Sequence, residues 1–387
     1  MALPPEVRAV FAAKTARTFC YGFLGILLPV YLSELGLGAA AIGVAVTATL
    51  AGSAVLTWAV RRPAERWGGR AALLALAGLS AAAALVLLAT RAPWLVVLGA
   101  MLGNVAVGAG ETGPFLALEQ VMVARAVAPA RRTLVLSVYN LLGYAAAALG
   151  AAVLRLGPAP RLLFAVFLAA AAAQALAYAR LGAAARPARR APAGAPPSAP
   201  LIRKLAALFA LDAFAGGFVL QSLVAYFLHE RYGLGLETLG LVFFATSLLT
   251  AASLLLAPRA AARFGLLPTM VGSHLVSNVV LIAIAAAPTA AVAVLLLCVR
   301  HLLSQMDVPT RQAYVMAIVE DREREAAATV TNLARTVAQA VTPSVTGWVM
   351  QAVALSAPFV LGGGLKIVYD LLLWWTFRDV ELTDPEG

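Results

Sequence analysis

Four ionisable residues fall within twelve positions of a stretch that is otherwise apolar. They are Arg300, His301, Asp307 and Arg311, and the runs on both sides of them carry almost no charge. Moving one charged side chain to the middle of a lipid bilayer costs about 2.5–3.5 kcal/mol on insertion scales. Such a cluster is retained only where other helices shield it or a watery cavity reaches it. The stretch therefore predicts a polar site inside a membrane protein.

The spacing of these residues predicts a polar stripe along one helix. Arg300, Ser304, Asp307 and Arg311 are separated by steps of four, three and four, which places them within about 60° of one another on a helix. Asp307 and Arg311 can pair locally, and Pro309 is expected to kink the helix. One alternative is that Asp307 only neutralises an arginine for insertion. A second cation would then lack a partner, so we favour a stripe that faces a cavity.

The composition is that of a membrane protein with several spans. Of 387 residues, 62% are hydrophobic and 12% are charged, whereas soluble proteins average about 45–50% and about 25%. The net charge of +11 does not indicate a nucleic-acid partner, because the arginines form short clusters between apolar runs. Cys20 and Cys298 both lie in apolar runs, so we expect no disulfide framework, metal site or cofactor. No phosphate-binding Gly-Lys-Ser/Thr loop is present, so ATP is not predicted to drive the protein.

Twelve apolar runs are long enough to cross a bilayer, which takes about 20 residues. The predicted spans are 13–35, 39–60, 71–90, 94–123, 133–155, 161–180, 203–229, 236–257, 268–287, 290–319, 327–351 and 356–377. A segment rich in Pro, Ala and Arg separates the sixth span from the seventh and is typical of a disordered linker. The sequence thus predicts a six-span bundle at 1–181, a linker at 182–202 and a second six-span bundle at 203–387.

The positive residues near the span ends predict the orientation. Of the 29 Lys and Arg residues, 21 fall on the side of the termini and the linker, and Lys14 and Arg17 are counted among them. Four fall on the other side, and four lie within spans. Because positive residues collect in the cytoplasm, both termini are expected to be cytoplasmic. We expect a multi-pass protein of the bacterial inner membrane.

The two halves of the sequence resemble each other. A shift of 197 residues superposes Gly36-Leu37-Gly38 on Gly233-Leu234-Gly235, and Gly68 on Gly265. Further along, a shift of 192 aligns Gln120 with Gln312 and Asn140-Leu141 with Asn332-Leu333. Two parallel repeats of six spans are typical of transporters whose site lies where the repeats meet.

The segment from Glu65 to Arg70 resembles the loop Gly-x-x-x-Asp-Arg-x-Gly-Arg-Arg of the major facilitator superfamily. Arg61, Glu65 and Gly69 replace the first glycine, the aspartate and one arginine of that pattern. A weaker copy occupies the matching place in the second half. The resemblance implies a gating loop, whose residues here are Glu65, Arg66, Gly68, Arg70, Arg263 and Gly265. It also implies an all-α membrane protein with twelve transmembrane helices in two pseudo-symmetric six-helix bundles.

The same resemblance implies a transporter, not an enzyme, that moves a small organic solute by alternating access. Family frequency favours proton-coupled efflux by antiport. However, the fifth span reads Gly143-Tyr-Ala-Ala-Ala-Ala-Leu-Gly150 and lacks the Gly-Pro-x-x-Gly-Gly pattern of many antiporters. The alternatives are a proton symporter or uniporter of an organic anion, and a lipid flippase of the same fold. A receptor is disfavoured because the sequence has no sizeable extramembrane domain.

The fourth span holds the candidate carboxylates for proton coupling. Glu111 and Glu119 lie in it, and Asn104 precedes Glu111 by two helical turns. The 192-residue shift pairs Glu119 with Arg311. A carboxyl in such a site can gain or lose a proton as its exposure to water changes. The alternative for Glu119 is a structural ion pair, for example with Arg125.

The second half supplies further polar residues for the substrate and proton pathway. Its within-span arginines, which favour an anionic substrate, are Arg300, Arg311 and Arg335. The other predicted lining residues are Asn332, Gln339 and Gln221. With Asp307 and the fourth-span residues, these complete the predicted pathway. The expected partners are a small molecule, protons and the lipid bilayer, and the protein is expected to be a monomer.

Three more residues of the second half have simpler interpretations. Lys366 and Asp370 are four residues apart, so a local pair that neutralises itself is predicted. His274 is expected to be a packing histidine with satisfied hydrogen bonds. Asp212 lies near the predicted cytoplasmic end of the seventh span, where it lines the pathway or meets arginines of the linker.

Overall fold

The computed structural model describes residues 3–105, 113–182, 199–307, 310–311, 314 and 324–378. Within these ranges every regular element is helical, as the composition predicts. The first eight α-helices precede the predicted linker. They are α1 (Pro5–Glu34), α2 (Ala39–Ala59), α3 (Arg61–Trp67), α4 (Gly69–Ala89), α5 (Pro93–Leu102), α6 (Pro114–Ala126), α7 (Pro129–Val153) and α8 (Pro160–Ala179), with a 3-10 turn at Leu154–Leu156.

Seven further helices follow the predicted linker. They are α9 (Ala199–Gly217), α10 (Gln221–Tyr232), α11 (Leu236–Phe264), α12 (Leu266–Ala285), α13 (Ala290–Ser304), α14 (Arg324–Ala352) and α15 (Ala357–Phe377). Between α13 and α14, the described residues Asp307, Thr310, Arg311 and Tyr314 are also helical.

Nine helical segments of the described residues are long and apolar enough to cross a membrane. They are Pro5–Glu34, Ala39–Trp67, Gly69–Ala89, Val135–Leu156, Pro160–Ala179, Pro200–Tyr232, Leu236–Phe264, Leu266–Ala285 and Ala357–Phe377. These nine coincide with nine of the twelve predicted spans. The fourth, tenth and eleventh predicted spans fall short of the criterion, and they hold most of the predicted site residues.

The fourth and tenth spans, which were predicted as continuous helices, are both interrupted. In the fourth span α5 ends at Leu102 and α6 begins at Pro114, with Asn104 (φ 50°) and Gly113 (φ 112°) in the left-handed half of backbone space. In the tenth span α13 ends at Ser304, a turn follows, and helical structure resumes at Asp307. The 192-residue shift aligns Gly113 with the turn residue Gln305. The two breaks are therefore a feature of the repeat.

Glycines with positive φ recur at matching places in the two halves. Gly68 has φ 88° and Gly265 has φ 87°, and each forms the N-cap of the helix that follows it. Gly36 (φ 89°) and Gly233 (φ 67°) form a second matching pair. Only glycine adopts such angles readily. The backbone thus supports the repeat that the sequence predicts.

The chain forms two compact units. Unit 1 comprises Met1–Arg190 and Val224–Phe244, and unit 2 comprises Ala191–Leu223 and Ala245–Gly387. These units follow the predicted halves except at 224–244, which group with the first unit. The exact domain boundaries predicted from the sequence stay a prediction.

Close helix contacts through glycine build each unit. In unit 1, α1 and α7 approach so closely that a side chain at Gly22 would collide with the Ala147 backbone, and one at Gly150 with the Phe19 backbone. In unit 2, a side chain at Gly217 of α9 would collide with Thr342 of α14. Small residues allow such approach inside membranes, where packing holds helices together. The first helix of each unit is thereby placed at its centre, where its polar residues become buried.

Candidate functional site

A buried ion pair lies at the centre of unit 1. Arg17 of α1 binds Glu119 of α6 through two hydrogen bonds, from Nη2 to Oε2 at 2.7 Å and from Nη1 to Oε1 at 3.0 Å. Both side chains are 0% exposed. Two parallel hydrogen bonds are the strongest geometry available to an arginine and a carboxylate. The orientation of the pair is therefore fixed.

Aromatic hydroxyls and rings close this pair off. Tyr178 donates to Glu119 Oε1 at 2.5 Å, and Tyr139 donates to Oε2 at 2.6 Å. The Arg17 guanidinium stacks on the Phe115 ring with 4.4 Å between its Cζ and the ring centroid. Each carboxylate oxygen of Glu119 thus accepts from both the arginine and a tyrosine. This pattern satisfies the carboxylate without water.

The unit 1 pair differs from what the sequence predicts for its members. Glu119 pairs with Arg17, whereas Arg125 is exposed on α6. Lys14 and Arg17 were counted among the cations on the cytoplasmic side. They are 2% and 0% exposed among the helices, and the side on which they lie stays a prediction. Lys14 places its ammonium 3.8 Å from the centroid of the Tyr139 ring. A cation near the end of an apolar run looks like a topology signal until its partner is known.

The other predicted residues of the fourth span are only partly accounted for. Glu111 lies outside the described residues. Asn104 is 3% exposed and lies against Gly113, where an added Cβ would come within 2.8 Å of its Oδ1. Asn104 therefore borders the break between α5 and α6. Its part in a substrate pathway stays a prediction, as does proton coupling by Glu119.

Asp212 of α9 is the centre of a larger cluster in unit 2. Its Oδ2 accepts from Arg335 at 2.8 Å and from Arg311 at 3.3 Å, and its Oδ1 accepts from Lys366 at 2.5 Å. Asp212 is 3% exposed. One buried carboxylate is therefore shared by three cations, which come from three different helical segments. Buried charges of this kind are stable only when each finds a partner.

The predicted stripe around residue 300 joins this cluster at one end. Asp307 accepts from Arg311 Nη1 at 2.6 Å, which confirms the predicted local pair. Arg300 of α13 is half-buried and close enough to Asp307 and Asp212 to interact electrostatically with both. Its Nε is buried and has no hydrogen-bond partner among the described residues. Arg300 is thus less completely paired than Arg311. Pro309, the predicted kink, lies outside the described residues.

A histidine and a second aspartate complete the unit 2 cluster. His274 Nδ1 lies 2.7 Å from Asp370 Oδ1, and Asn278 donates to Asp370 Oδ2 at 3.0 Å. The predicted local pair of Lys366 and Asp370 was wrong. Lys366 instead donates to Asp212 Oδ1 on α9, and the Asp370 carboxylate is bound by His274 and Asn278. His274 is 4% exposed and has hydrogen-bonding neighbours, as predicted.

The remaining predicted pathway residues make none of the cluster contacts described above, or lie outside the described residues. Gln339 is half-buried on α14, one turn beyond Arg335, and Gln221 is half-buried at the start of α10. The side chain of Asn332 lies outside the described residues. Thr342 and Thr346, which follow on the same helix, are buried and donate to backbone oxygens of the preceding turn. The roles of all these residues in transport stay predictions.

The predicted gating loop lies at the surface of unit 1. Glu65 and Arg66 are exposed on α3, Arg70 is half-buried at the start of α4, and Gly68 makes the turn between these helices. Among the described residues no ion pair joins Glu65 to an arginine. In unit 2 the matching Arg263 is exposed in the last turn of α11, and the matching Gly265 is exposed between α11 and α12. The structure supports the turn geometry of this loop, and its gating role stays a prediction.

The 192-residue shift also relates the two buried clusters, and the sequence analysis found only the match of Glu119 with Arg311. The matches are Phe115 with Asp307, Glu119 with Arg311, Gln174 with Lys366, and Tyr178 with Asp370. All eight side chains contribute to their cluster, since Gln174 accepts from Arg17 at 3.4 Å. Extending the shift to the sixth and twelfth spans would have identified Lys366 and Asp370 as site residues. Neither Asp212 nor Arg17 carried a comparable signal.

The described part of the chain contains no group of three or more His, Cys, Asp or Glu residues placed to hold a metal ion. The unit 2 cluster is instead rich in cations. Among its described side chains, Arg300, Arg311, Arg335 and Lys366 oppose Asp212, Asp307 and Asp370. With neutral histidine it carries one excess positive charge. Such a cluster can bind an anion and can exchange partners around its shared carboxylate.

Comparisons with known proteins agree with this architecture. The family model of the Major Facilitator Superfamily matches residues 10–299 and 205–386. An uncharacterized membrane protein of Saccharomyces cerevisiae, YJR124C, is 22% identical over 97% of this chain and 95% of its own length. The crystal structure of the nucleoside transporter NupG superposes with a TM-score of 0.77 at 13% identity, covering 96% of this chain and 99% of that one. The human organic anion transporter MFSD10 (TETRAN) superposes with a TM-score of 0.65 at 17% identity, covering 96% and 100%.

Proposed function

The chain belongs to the major facilitator superfamily, and from that premise we propose that it is a proton-coupled symporter of a small organic anion. The family confirms the resemblance seen in the sequence and the all-α membrane fold. It makes the protein a membrane transporter of small solutes that works by alternating access. The substrate class, the role of protons and the direction are our proposal.

The observation that supports the proposal is the excess of cations in the unit 2 cluster. Arg311 and Lys366 are 8% and 7% exposed, so their charges are held in a poorly hydrated environment. Arg335 is more accessible, with 27% of its side chain exposed, and the buried Nε of Arg300 lacks a described partner. A carboxylate or sulfonate would satisfy these donors, whereas a cationic solute would be repelled. In unit 1, by contrast, the described Arg17 is already bound by Glu119 through two hydrogen bonds.

The sign of the cluster favours symport over the antiport that the resemblance implies. A proton added to a cluster that is already positive strengthens the binding of an anion, so proton and substrate bind together. The proton and the anion then cross the membrane together, without net charge. A lone anion entering against an inside-negative potential would cost about 2.3 kcal/mol per 100 mV. Efflux by exchange would require protonation to weaken anion binding.

The known structures are compatible with this proposal and do not decide it. One relative is described as a nucleoside transporter and another as an organic anion transporter. The fold therefore accommodates solutes with and without charge. At identities below 20% the substrate must be argued from this chain's own residues, and those residues are cationic.

Transport by purified protein in proteoliposomes tests the proposal. The substrate pair is benzenesulfonate, which stays anionic from about pH 5 to about pH 8, and its neutral analogue benzamide. We expect an acidic exterior to drive accumulation of benzenesulfonate and not of benzamide. Acid-driven loss of benzenesulfonate from preloaded vesicles would instead establish antiport, and transport without response to the pH gradient would establish uniport. Either result, or preference for benzamide, contradicts the proposal.

A matched pair of variants links this transport to the cluster. Arg300→Gln removes the incompletely paired charge and is expected to reduce benzenesulfonate accumulation about tenfold or more. Arg259→Gln removes an exposed arginine of the same unit and is expected to leave transport unchanged. Equal transport by both variants would show that the anion binds elsewhere.

We also propose that the protein acts as a monomer in the bacterial inner membrane with both termini in the cytoplasm. The excess of Lys and Arg on one side of the predicted spans supports this orientation. Arg263 and Arg231 are both exposed and are predicted to lie on opposite sides. In a chain whose Cys20 and Cys298 are replaced by serine, a cysteine at 263 should react only from inside and one at 231 only from outside. The reverse pattern would invert the topology.

A further inference from the structure

His274 lies between two carboxylates of the unit 2 cluster, Asp212 and Asp370, which belong to different helices. His274 of α12 places Nδ1 at 2.7 Å from Asp370 Oδ1 and Nε2 at 3.7 Å from Asp212 Oδ1. Its ring also meets the Tyr369 ring edge-on, with 5.8 Å between centroids. The imidazole is therefore fixed in orientation, and each of its nitrogens faces a different carboxylate.

The contacts define which nitrogen is free to take a proton. Asp370 accepts a hydrogen bond, so Nδ1 of the neutral ring carries the hydrogen and donates it. Nε2 then has a lone pair, and Lys366 Nζ lies 3.4 Å from it as a donor. In this state Lys366 donates to both Asp212 Oδ1 and His274 Nε2. A neutral His274 is therefore compatible with Lys366 bound to Asp212.

Protonation of Nε2 is not consistent with the same lysine position. The new N–H would point to Asp212 Oδ1, the oxygen that Lys366 already occupies at 2.5 Å. Two positive groups about 3.4 Å apart would also repel each other in an environment that water screens poorly. The imidazolium and the ammonium therefore compete for one oxygen.

We propose that His274 is the residue that takes up the coupling proton, and that its protonation releases Lys366 from Asp212 to bind the substrate anion. This inference rests on the proposed function and adds its coupling residue. A proton from water binds the Nε2 lone pair, and the resulting imidazolium donates to Asp212 Oδ1. Lys366 keeps its own proton and loses one acceptor, so the cluster gains one positive charge, which the anion neutralises. Loss of the proton reverses both steps.

The other charged groups around His274 allow Asp212 Oδ1 to change its partner from Lys366 to the imidazolium. From α9 comes Asp212, whose second oxygen stays bound to Arg311 and Arg335. From α15 come Lys366, Asp370 and the uncharged Tyr369. Helix α13 also packs on α12, and in the described residues no hydrogen bond or ion pair joins it to His274. Asp212 thus remains anchored by the arginines while one of its oxygens changes partner.

Proton binding can be measured without any substrate, by NMR of the full chain in lipid nanodiscs. The chain has three histidines and three lysines, so labelled histidine and lysine nitrogens give few signals. When the sample is acidified, we expect His274 Nε2 to gain a proton and the Lys366 signal to change in parallel. In His274→Gln the change at Lys366 should disappear, while His229→Gln should retain it. A Lys366 signal that responds to pH equally in His274→Gln, or a His274 that stays neutral, overturns the inference.

A transport measurement separates this inference from the proposed function. Glutamine can still accept from Lys366 and donate to a carboxylate, yet it cannot take a proton. His274→Gln should therefore lose about tenfold or more of the acid-driven accumulation of benzenesulfonate, and the transport that remains should no longer respond to pH. Undiminished acid-driven accumulation refutes the role of His274 alone. Wild-type protein that ignores the pH gradient refutes the proposed symport, whatever the NMR shows.

A second variant covers the case in which His274→Gln does not fold. Asp370→Asn keeps the size of the side chain and removes one of the two negative neighbours of the imidazolium. The charged ring should then be populated less at the same acidic pH, and Lys366 should be displaced less. An unchanged titration of both residues in Asp370→Asn contradicts the inference.

Discussion

The two units bury charged clusters at matching positions, with the charges exchanged. In unit 1 the first helix supplies the cation, Arg17, and the fourth span supplies the carboxylate, Glu119. In unit 2 the first helix supplies the carboxylate, Asp212, and the tenth span supplies the cation, Arg311. The repeat has therefore kept an ion pair between the same two helices and reversed its sign.

The surroundings of the two pairs differ more than the pairs themselves. The unit 1 pair is 0% exposed on both sides, and its carboxylate is satisfied by one arginine and two tyrosines. The unit 2 carboxylate is shared by three cations, one of which has 27% of its side chain exposed. A closed pair with fixed partners stabilises the helices it joins. An open cluster with competing partners can change its contacts when a proton or an anion arrives.

The largest effect is expected from breaking the closed pair. Glu119→Gln leaves Arg17 buried without a counter-charge, and removing one partner of a buried pair costs about 3–5 kcal/mol. We therefore expect a large loss of stability, measured by thermal unfolding of the purified protein. The double variant Arg17→Met/Glu119→Gln should recover most of the loss, because no unpaired charge remains and the glutamine oxygen still accepts from the tyrosines. A double variant as unstable as the single one would mean that the charge itself is not the cause.

The next largest effect is expected on transport, from the open cluster. Arg335→Gln leaves Asp212 with two cations, so stability should change by less than about 1 kcal/mol, as for partly exposed ion pairs. Anion transport should nevertheless fall about 100-fold, or ~2.7 kcal/mol of transition-state free energy. Initial rates in proteoliposomes and thermal unfolding of the same preparation measure the two effects. Loss of stability in proportion to loss of transport would make Arg335 structural, as Arg17 is.

The smallest effects are expected at the turns whose backbone geometry is the same in both units. Gly68 and Gly265 hold nearly identical positive φ angles at equivalent turns. Gly68→Ala and Gly265→Ala should each cost about 1–3 kcal/mol, because an L-residue is strained at a positive φ with an extended ψ. Thermal unfolding of the two variants, with Gly78→Ala inside α4 as the control, measures this cost. Clearly unequal losses would show that the two turns are not equivalent.

The sequence predicted the features that depend on local pattern. Apolar length identified the helices, the shift of 197 residues matched Gly68 to Gly265, and the four-residue spacing gave the contact between Asp307 and Arg311. Each of these follows from periodicity or from the backbone freedom of glycine. The family resemblance in the loop at Glu65–Arg70 was equally local, and the family match confirms it.

The features that the sequence did not predict depend on contacts between distant segments. Arg17 and Asp212 lie near the predicted ends of apolar runs, where charged residues normally mark the membrane surface. Nothing local shows that glycines such as Gly22 draw their helices into the centre of a unit. Lys366 illustrates the same limit: its nearest carboxylate along the helix is Asp370, yet it binds Asp212, 154 residues away in sequence.

We propose that transport depends on the unit 2 cluster, whereas the unit 1 pair only holds its helices together. Acid-driven uptake of benzenesulfonate by equal amounts of folded protein tests it directly, with Arg17→Met/Glu119→Gln measured beside Arg335→Gln. We predict that the double variant in unit 1 keeps uptake within about threefold of wild type, while Arg335→Gln loses about 100-fold. Abolished uptake in the folded double variant, or normal uptake in Arg335→Gln, would contradict the account.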